Sequence, residues 1–430
     1  MKYFSLNYNS KSTLFHDAVK RGLAPDRGLY FPESIPQLPQ SFFDNIEKMS
    51  IHQMAYRVIK PYVGNQILKE KLMEIISETL DFDFPIVEIT NNIAALELFQ
   101  GPTLAFKDVG ARFMARSLGY LNKGSKDKIT VLVATSGDTG GAVANGFLGI
   151  EGVNVVILYP KGKVSEIQEK QLTTLGKNIT ALEVEGVFDD CQEMVKTAFL
   201  DTALSNINLT SANSINVARW LPQMFYYFIA YRALRNKNKK LVFSVPSGNF
   251  GNICAGIMGR QMGLPIDHFI ASTNVNDAVP RFMETGNYDP MPTIQTISNA
   301  MDVGNPSNFV RIQKIFNNDV VKMKKILSGF SYTDQETKEA LKEIYELKSY
   351  IADPHGAIGY LGLKEYLEEQ NEDYYGVFLE TAHPVKFLDS VNNTLKLEVE
   401  IPEKLKDTLS KEKTSISIKN YGELKSHLLD

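Results

Sequence analysis

The sequence predicts an α/β fold: two open, largely parallel sheets that meet at a cleft, preceded by an N-terminal extension. Three observations carry this reading. Apolar runs of strand length recur at 129–134, 153–158, 179–184, 241–245, 266–271 and 375–379, with helix-length segments between them. Such alternation marks βαβ units, whose strands lie parallel with helices on both faces. The alternation comes in two blocks, broken by an aromatic helical stretch at 219–234. The chain's 430 residues also exceed the roughly 100–200 that one domain usually holds.

The first 85 residues carry Pro25, Pro32, Pro36 and Pro39, then helical stretches without strand rhythm, and read as an extension packed on the core. Lys107 opens a helix over 111–118. The strand at 129–134 runs into Thr135-Ser136-Gly137-Asp138-Thr139-Gly140-Gly141 and a helix of small residues at 142–147. The strand at 153–158 ends at Tyr159-Pro160-Lys161-Gly162. A helix at 164–175 and a strand at 179–184 follow, and Asp189 reads as the cap of a helix reaching about residue 203. Within 219–234, Phe225-Tyr226-Tyr227-Phe228 is a core stripe, and Lys237-Asn238-Lys239-Lys240 is a solvated loop. The rhythm restarts with the strand at 241–245, the turn Pro246-Ser247-Gly248-Asn249-Phe250-Gly251-Asn252 and a helix at 253–262. After about Asn392 the chain becomes rich in lysine and glutamate, as a peripheral tail would. The resulting division is an extension (1–85), a large domain (86–130 and 210–392), a small α/β domain (131–209) and the tail (393–430).

Composition narrows the function. Lys and Arg number 46 against 50 Asp and Glu, a net charge of −4, so no electrostatic footprint for nucleic acid is present. Two cysteines, Cys191 and Cys254, cannot build a disulfide framework and suit a reducing compartment, which makes the cytoplasm the expected location. The first residues turn polar at once, unlike a signal peptide, and no run of about 18 apolar residues suggests a membrane span. His16, His52, His268, His355, His383 and His427 show no metal-ligand spacing, and no HExxH, GxSxG or GxxxxGK[ST] motif occurs.

Three polar, glycine-bearing turns remain. Ser136–Thr139 with Gly140 and Gly141, and Ser247–Asn252, each lie between a strand and a helix, where glycine permits close backbone approach and the helix N-terminus favours an anion. One such turn can serve merely to close a tight connection; two of them can hold two phosphates. The third, Gly101-Pro102-Thr103-Leu104-Ala105-Phe106-Lys107-Asp108-Val109-Gly110, places a lysine at a helix N-terminus, an end that disfavours cations. That placement lowers the amine's pKa and suits Schiff-base chemistry, although a surface lysine beside a capping Asp108 fits the same pattern. Ser211-Ala212-Asn213-Ser214-Ile215-Asn216-Val217-Ala218-Arg219 gathers amides and hydroxyls ahead of a helix, suited to an anion with Arg219 as its bidentate partner or to a simple cap. Glu380-Thr381-Ala382-His383-Pro384-Val385-Lys386 follows a strand at its carboxyl end, where ligands sit in open α/β sheets. Asp353-Pro354-His355-Gly356 reads as a turn.

Taken together, the segments 101–116, 135–147, 211–219, 245–252, 271–281 and 381–387 resemble the threonine synthase family, in its longer microbial form with an N-terminal extension. The resemblance runs from Gly28-Leu29-Tyr30-Phe31-Pro32 to at least Phe387, and the 211–219 block and Asn274-Val275-Asn276-Asp277 are its most specific parts. It implies a fold type II enzyme with pyridoxal phosphate in the cleft, held covalently by Lys107. Gly248, Asn249, Phe250 and Asn252 would cradle the cofactor's phosphate through backbone N–H groups and an amide side chain, and Thr381 would bond the pyridine nitrogen. Ser136, Asp138 and Thr139 would receive substrate, with Asn213, Ser214, Asn216 and Arg219 completing the anion site. The implied reaction turns O-phospho-L-homoserine and water into L-threonine and phosphate by γ-elimination and β-addition, the last step of threonine biosynthesis. Another fold type II lyase, such as a threonine or serine dehydratase, is the alternative. Neither a monomer nor a homodimer is preferred.

Overall fold

The computed structural model describes all 430 residues. In chain order its strands are β1 (Lys2–Ser5), β2 (Thr13–Leu14), β3 (Tyr30–Pro32), β4 (Ile86–Glu88), β5 (Ile93–Glu97), β6 (Ile129–Ala134), β7 (Val153–Pro160), β8 (Ile179–Val184), β9 (Asn208–Ser211), β10 (Lys240–Pro246), β11 (His268–Thr273), β12 (Leu327–Ser331), β13 (Tyr374–Glu380) and β14 (Ile416–Ile418). They form a six-stranded sheet in the order β12-β11-β10-β13-β5-β4 and a five-stranded sheet in the order β14-β8-β7-β6-β9. Every pairing in these two sheets is parallel except β4 on β5. The central strands are apolar on both faces, as strands covered by helices on both sides must be. No helix is long and apolar enough to cross a membrane.

Each large sheet has one point where its strand order reverses. From β10 the chain steps outward through β11 and β12, then returns to the opposite side of β10 as β13. From β6 it steps outward through β7 and β8, then returns beside β6 as β9. At such reversals the connections leave in opposite directions and open a crevice beyond the strands' carboxyl ends. The cleft follows from these two reversals.

Three expectations are corrected. The extension is not free of strands: β1, β2 and β3 form a small antiparallel sheet. The 393–430 stretch is not merely peripheral, because β14 extends the five-stranded sheet at β8, and the helix Tyr421–Leu429 packs beside the helix Phe188–Leu200. Lys425 and the Tyr421 hydroxyl both reach Asp201, each at 2.7 Å. The 219–234 stretch is not one helix. Val217–Trp220 gives way to a 3₁₀ turn, Leu221–Gln223, before the helix Met224–Leu234, since Pro222 has no N–H to continue an α-helical ladder. The core stripe Phe225–Phe228 is fully buried, as its composition predicted.

The extension is bolted to the segment after β9. Trp220 stacks on Phe31 at 6.2 Å, and the guanidinium of the wholly buried Arg311 lies 4.8 Å from the Trp220 ring. Arg311 has no carboxylate partner; it donates instead to the carbonyls of Tyr30 (3.0 Å) and Ile215 (2.5 Å). Asn216, expected at the anion site, belongs to this joint. Its Nδ2 donates to Val19 O (2.9 Å) and Ser211 O (3.1 Å), while its Oδ1 accepts from the Ala218 N–H (3.0 Å). Val19 lies near the C-terminus of the helix Phe15–Arg21, where carbonyls lack intrahelical partners, and Asn216 supplies one. Asn216→Ala removes a cap and two buried hydrogen bonds, leaving Val19 O only the Thr210 hydroxyl as donor, so it should destabilise the protein by about 1–3 kcal/mol in urea unfolding. An unchanged unfolding midpoint would return Asn216 to a ligand-binding role.

Candidate active site

A cavity of about 800 Å³ lies between the carboxyl ends of the two sheets. The turns that follow β6, β9, β10 and β13, the four strands flanking the reversals, all contribute to its wall, as does Lys107. Of the sequence-predicted site residues, Lys107, Ser136, Thr139, Asn213, Ser214, Arg219, Gly248, Asn249, Phe250, Asn252 and Thr381 line it. Asp138 and Asn216 do not.

The turn after β10 is held open for a ligand. Backbone N–H groups of Gly248, Asn249, Phe250, Gly251 and Asn252 meet no protein acceptor, and they converge at the N-terminus of the helix Gly251–Gln261. Phe250 adopts a left-handed conformation (φ 59°) to make this turn. A Cβ at Gly248 would lie 2.9 Å from Met301 Cα and 3.0 Å from Ala300 O, so only glycine fits. The side chain of Asn252 is engaged within the chain. Its Nδ2 donates to Pro246 O (2.8 Å) and its Oδ1 accepts from the Ile253 N–H (2.9 Å), which braces the turn and leaves its backbone N–H as the free group. Asn249 braces the other side, accepting from the Ser307 N–H at 3.3 Å.

Lys107 is the first residue of the helix Lys107–Asn122. Its loop is stitched to the segment after β13 by Phe106 N–H to Thr381 O (2.9 Å) and His383 N–H to Leu104 O (3.1 Å). This fixes Lys107 beside Thr381, whose hydroxyl finds no partner in the chain. Burial is the leading cause that brings the Lys107 amine down to about 8; the Asp138 carboxylate opposes it, and Lys386 and Arg219 add to the lowering.

In the turn after β6, Thr135 Oγ1 accepts from the N–H groups of Gly137 (2.9 Å) and Gly140 (2.8 Å), shaping the loop so that Ser136 and Thr139 face the cavity. Asp138 is not part of the cavity lining, although its charge acts on Lys107. Its carboxylate pairs with Lys386 at 2.7 Å and accepts from Gln168 Nε2 at 3.0 Å, both within the interior. Lys386, with Lys107 and Gln168, holds that carboxyl well below its usual range despite burial. Asp138 therefore anchors the turn from behind the cavity lining.

After β9, Asn213 Nδ2 donates to Ala134 O (3.0 Å), tying this segment to the end of β6. Ser214 Oγ accepts from Asn308 Nδ2 at 3.1 Å. Arg219 is 2% exposed and pairs with no carboxylate; it donates to Ala212 O and its Nε has no partner. Burial lowers its pKa to about 10, which still leaves it charged near neutral pH. A buried cation without a counter-ion on a cavity wall is a receptor for an anion.

Several residues in and behind the cavity wall escape sequence reasoning. Lys386 stood in a noted segment, but its pairing with Asp138 spans 248 positions and has no local signature. His355, Met301 and Asp302 line the cavity itself, which Lys386 does not. Asp353-Pro354-His355-Gly356 was the one available signal, and it reads as a turn.

Comparison with known proteins agrees with this architecture. Residues 88–380 match the family model described as pyridoxal-phosphate dependent enzyme, residues 2–80 the threonine synthase N terminus, and residues 356–427 the threonine synthase C-terminal region. A threonine synthase of Buchnera aphidicola is 44% identical over 434 aligned residues that cover 100% of both chains. The crystal structure of threonine synthase from Escherichia coli superposes with a TM-score of 0.93 at 39% identity, covering 100% of this chain and 99% of that one. The pyridoxal-phosphate-bound threonine synthase of Brucella melitensis gives a TM-score of 0.93 at 33% identity, covering 100% and 98%. On its full-length sequence match, its architecture and its cofactor-type cleft, the chain belongs to the threonine synthase family of pyridoxal-phosphate-dependent enzymes.

Proposed function

We propose that the chain converts O-phospho-L-homoserine and water into L-threonine and inorganic phosphate, with Lys107 as the lysine that holds pyridoxal phosphate. One observation carries the reading: two separate anion receptors, the 248–252 turn and Arg219, share one cavity wall with a buried lysine of lowered pKa. One receptor suits the cofactor's phosphate and the other the substrate's. A dehydratase acting on an unphosphorylated amino acid leaves the unpaired Arg219 without a purpose. The two cysteines, both free and buried, agree with a cytoplasmic setting.

The residues fit the cofactor. Five free N–H groups at a helix N-terminus suit its phosphate, the unpartnered Thr381 hydroxyl its ring nitrogen, and the Lys107 amine its aldehyde. When bound, pyridoxal phosphate supplies an electron sink for charge developing on the substrate's carbon skeleton. Thr381 offers the ring nitrogen a neutral hydroxyl, whereas a carboxylate there would keep that nitrogen protonated and make the ring a stronger electron sink.

The chain's own groups then divide the work. Ser136, Thr139 and the N–H groups of their turn bind the substrate's carboxylate and orient its Cα–H toward Lys107. Lys107 Nζ removes that proton and finally returns it, a role its lowered pKa permits near neutrality. Arg219, Asn213 and Ser214 hold the phosphate while it is esterified and after it leaves. Across the reaction the Cγ–O bond breaks, a proton leaves Cβ, a proton is added at Cγ, and the hydroxyl of water joins Cβ. The sheets on either side of the cavity exclude other water, so addition stays at one carbon and one face.

Purified protein supplied with pyridoxal phosphate and O-phospho-L-homoserine should release threonine and phosphate in equal amounts, and Lys107→Ala should lower turnover by about 10³-fold or more. Phosphate with 2-ketobutyrate and no threonine would make the protein a lyase of another kind. The pH dependence has a definite sign, because only the neutral amine attacks an aldehyde. Uptake of pyridoxal phosphate by cofactor-free protein should be slow at low pH and rise with a midpoint near about 8. A stopped-flow absorbance series from pH 6 to about 10.5 checks this, the upper limit being an ordinary lysine's pKa.

A further inference from the structure

Asp353-Pro354-His355-Gly356 opens the helix Pro354–Glu369, and its side chains do more than cap it. Asp353 Oδ1 accepts from the His355 backbone N–H (2.8 Å) and lies 2.5 Å from His355 Nδ1. On the far side of the ring, His355 Nε2 accepts from the Ala300 N–H at 3.1 Å. These two bonds fix the tautomer, with the proton on Nδ1 and Nε2 bare. Because Nε2 is already engaged, His355 is not a free acid or base, even though it touches the cavity.

Ala300 belongs to the 3₁₀ turn Asn299–Met301, and that turn is the rear wall of the 248–252 turn. Ala300 O and Met301 Cα are the atoms that a Cβ at Gly248 would strike. A 3₁₀ turn of three residues cannot hold its own position by internal bonds. It is gripped on one side by His355 and on the other through Asp302, which accepts from the Thr296 N–H (3.0 Å) and Asn274 Nδ2 (2.9 Å).

Behind His355 stands a second carboxyl. Asp353 N–H donates to Glu380 Oε2 at 3.4 Å, and both side chains are wholly buried. Asp353 Oδ2 and Glu380 Oε1 are left without other partners. Burial first, and then the neighbouring Asp353 charge, push the Glu380 carboxyl well above its usual range. Glu380 is also the residue before Thr381. One buried chain of contacts thus runs from the strand end that carries Thr381, through Asp353 and His355, to the turn behind Gly248.

We propose that His355 is a positioning residue for the cofactor's phosphate: by accepting the Ala300 N–H it fixes the Asn299–Met301 turn against the 248–252 turn. This rests on the reading above that the 248–252 turn holds that phosphate. His355→Asn keeps a polar group beside Asp353 but has no acceptor at the Nε2 position. His355→Gln places an amide oxygen there.

The test compares binding of pyridoxal phosphate with binding of pyridoxal, which has the same ring and no phosphate, to cofactor-free full-length protein by absorbance titration. His355→Asn should weaken pyridoxal phosphate about tenfold, leave pyridoxal within about twofold, and be rescued by His355→Gln to within about threefold. Equal weakening of both ligands, or of neither, overturns the proposal. Gly248→Val separates the two ideas. If that variant keeps the wild-type preference for the phosphorylated ligand, the cradle reading itself falls. If it abolishes the preference while His355→Asn does not, only the role of His355 falls. Should His355→Asn fail to fold, ¹⁵N shifts of the wild-type protein loaded with pyridoxal phosphate decide the matter. A bare Nε2 on His355 supports the proposal, and a protonated Nε2 overturns it.

Discussion

The ion pair between Asp138 and Lys386 is the contact on which the cleft depends. Asp138 opens the helix after β6, in the five-stranded sheet, and Lys386 lies in the 3₁₀ turn Pro384–Phe387 after β13, in the six-stranded sheet. The bond joins the two sheets at 2.7 Å with both side chains almost completely out of water. A buried charge without its partner is strongly destabilising, so each residue constrains the other's position, and with it the sheet that carries it. The pair also sets the field around Lys107. The carboxylate raises the lysine's pKa and the second ammonium lowers it, so these opposing charges leave burial as the leading influence. A well-solvated lysine would stay protonated at neutral pH, whereas here a useful fraction is neutral.

Topology explains why such different segments meet. Residues 101–107, 135–139, 211–219, 248–252 and 381–386 are far apart in sequence, yet four of these segments leave strands that flank a reversal of strand order. The fifth, carrying Lys107, is stitched to the end of β13 by backbone hydrogen bonds. Polar backbone groups at strand ends and helix starts have no partners within their own elements, and the reversals leave room beside them. Anion receptors thus come from the architecture itself. Arg219 and Lys107 add the charge and the nucleophile.

Legibility in the sequence tracks how local the causes are. Strands β6 and β8 match the predicted 129–134 and 179–184 to the residue, because buried parallel strands are apolar runs bounded by turn residues. Strands β1, β2 and β3 are two to four residues long, too short for periodicity to register. β14 is largely exposed within a charged stretch, and only its docking on β8 makes it a strand. The glycine turns and Lys107 were readable because their chemistry depends on residue type at one place. The joints made by Asp138 and Asn216 were not readable for the opposite reason: residues suited to bind a ligand also suit a buried joint, and the partners, Lys386 and Val19, lie far away in sequence. His355 was undervalued on the same account, since its meaning comes from Ala300, 55 positions away.

The site requires one particular lysine to react with the cofactor's aldehyde, and a second buried lysine, Lys386, lies close to Lys107 just behind the cavity lining. Borohydride reduction of the protein loaded with pyridoxal phosphate, followed by digestion and peptide mass spectrometry, identifies the lysine that carries the ring. Label on Lys107, with Lys386 unmodified because Asp138 holds its amine, is the predicted result. Label on Lys386, or on any lysine outside the cavity, contradicts it.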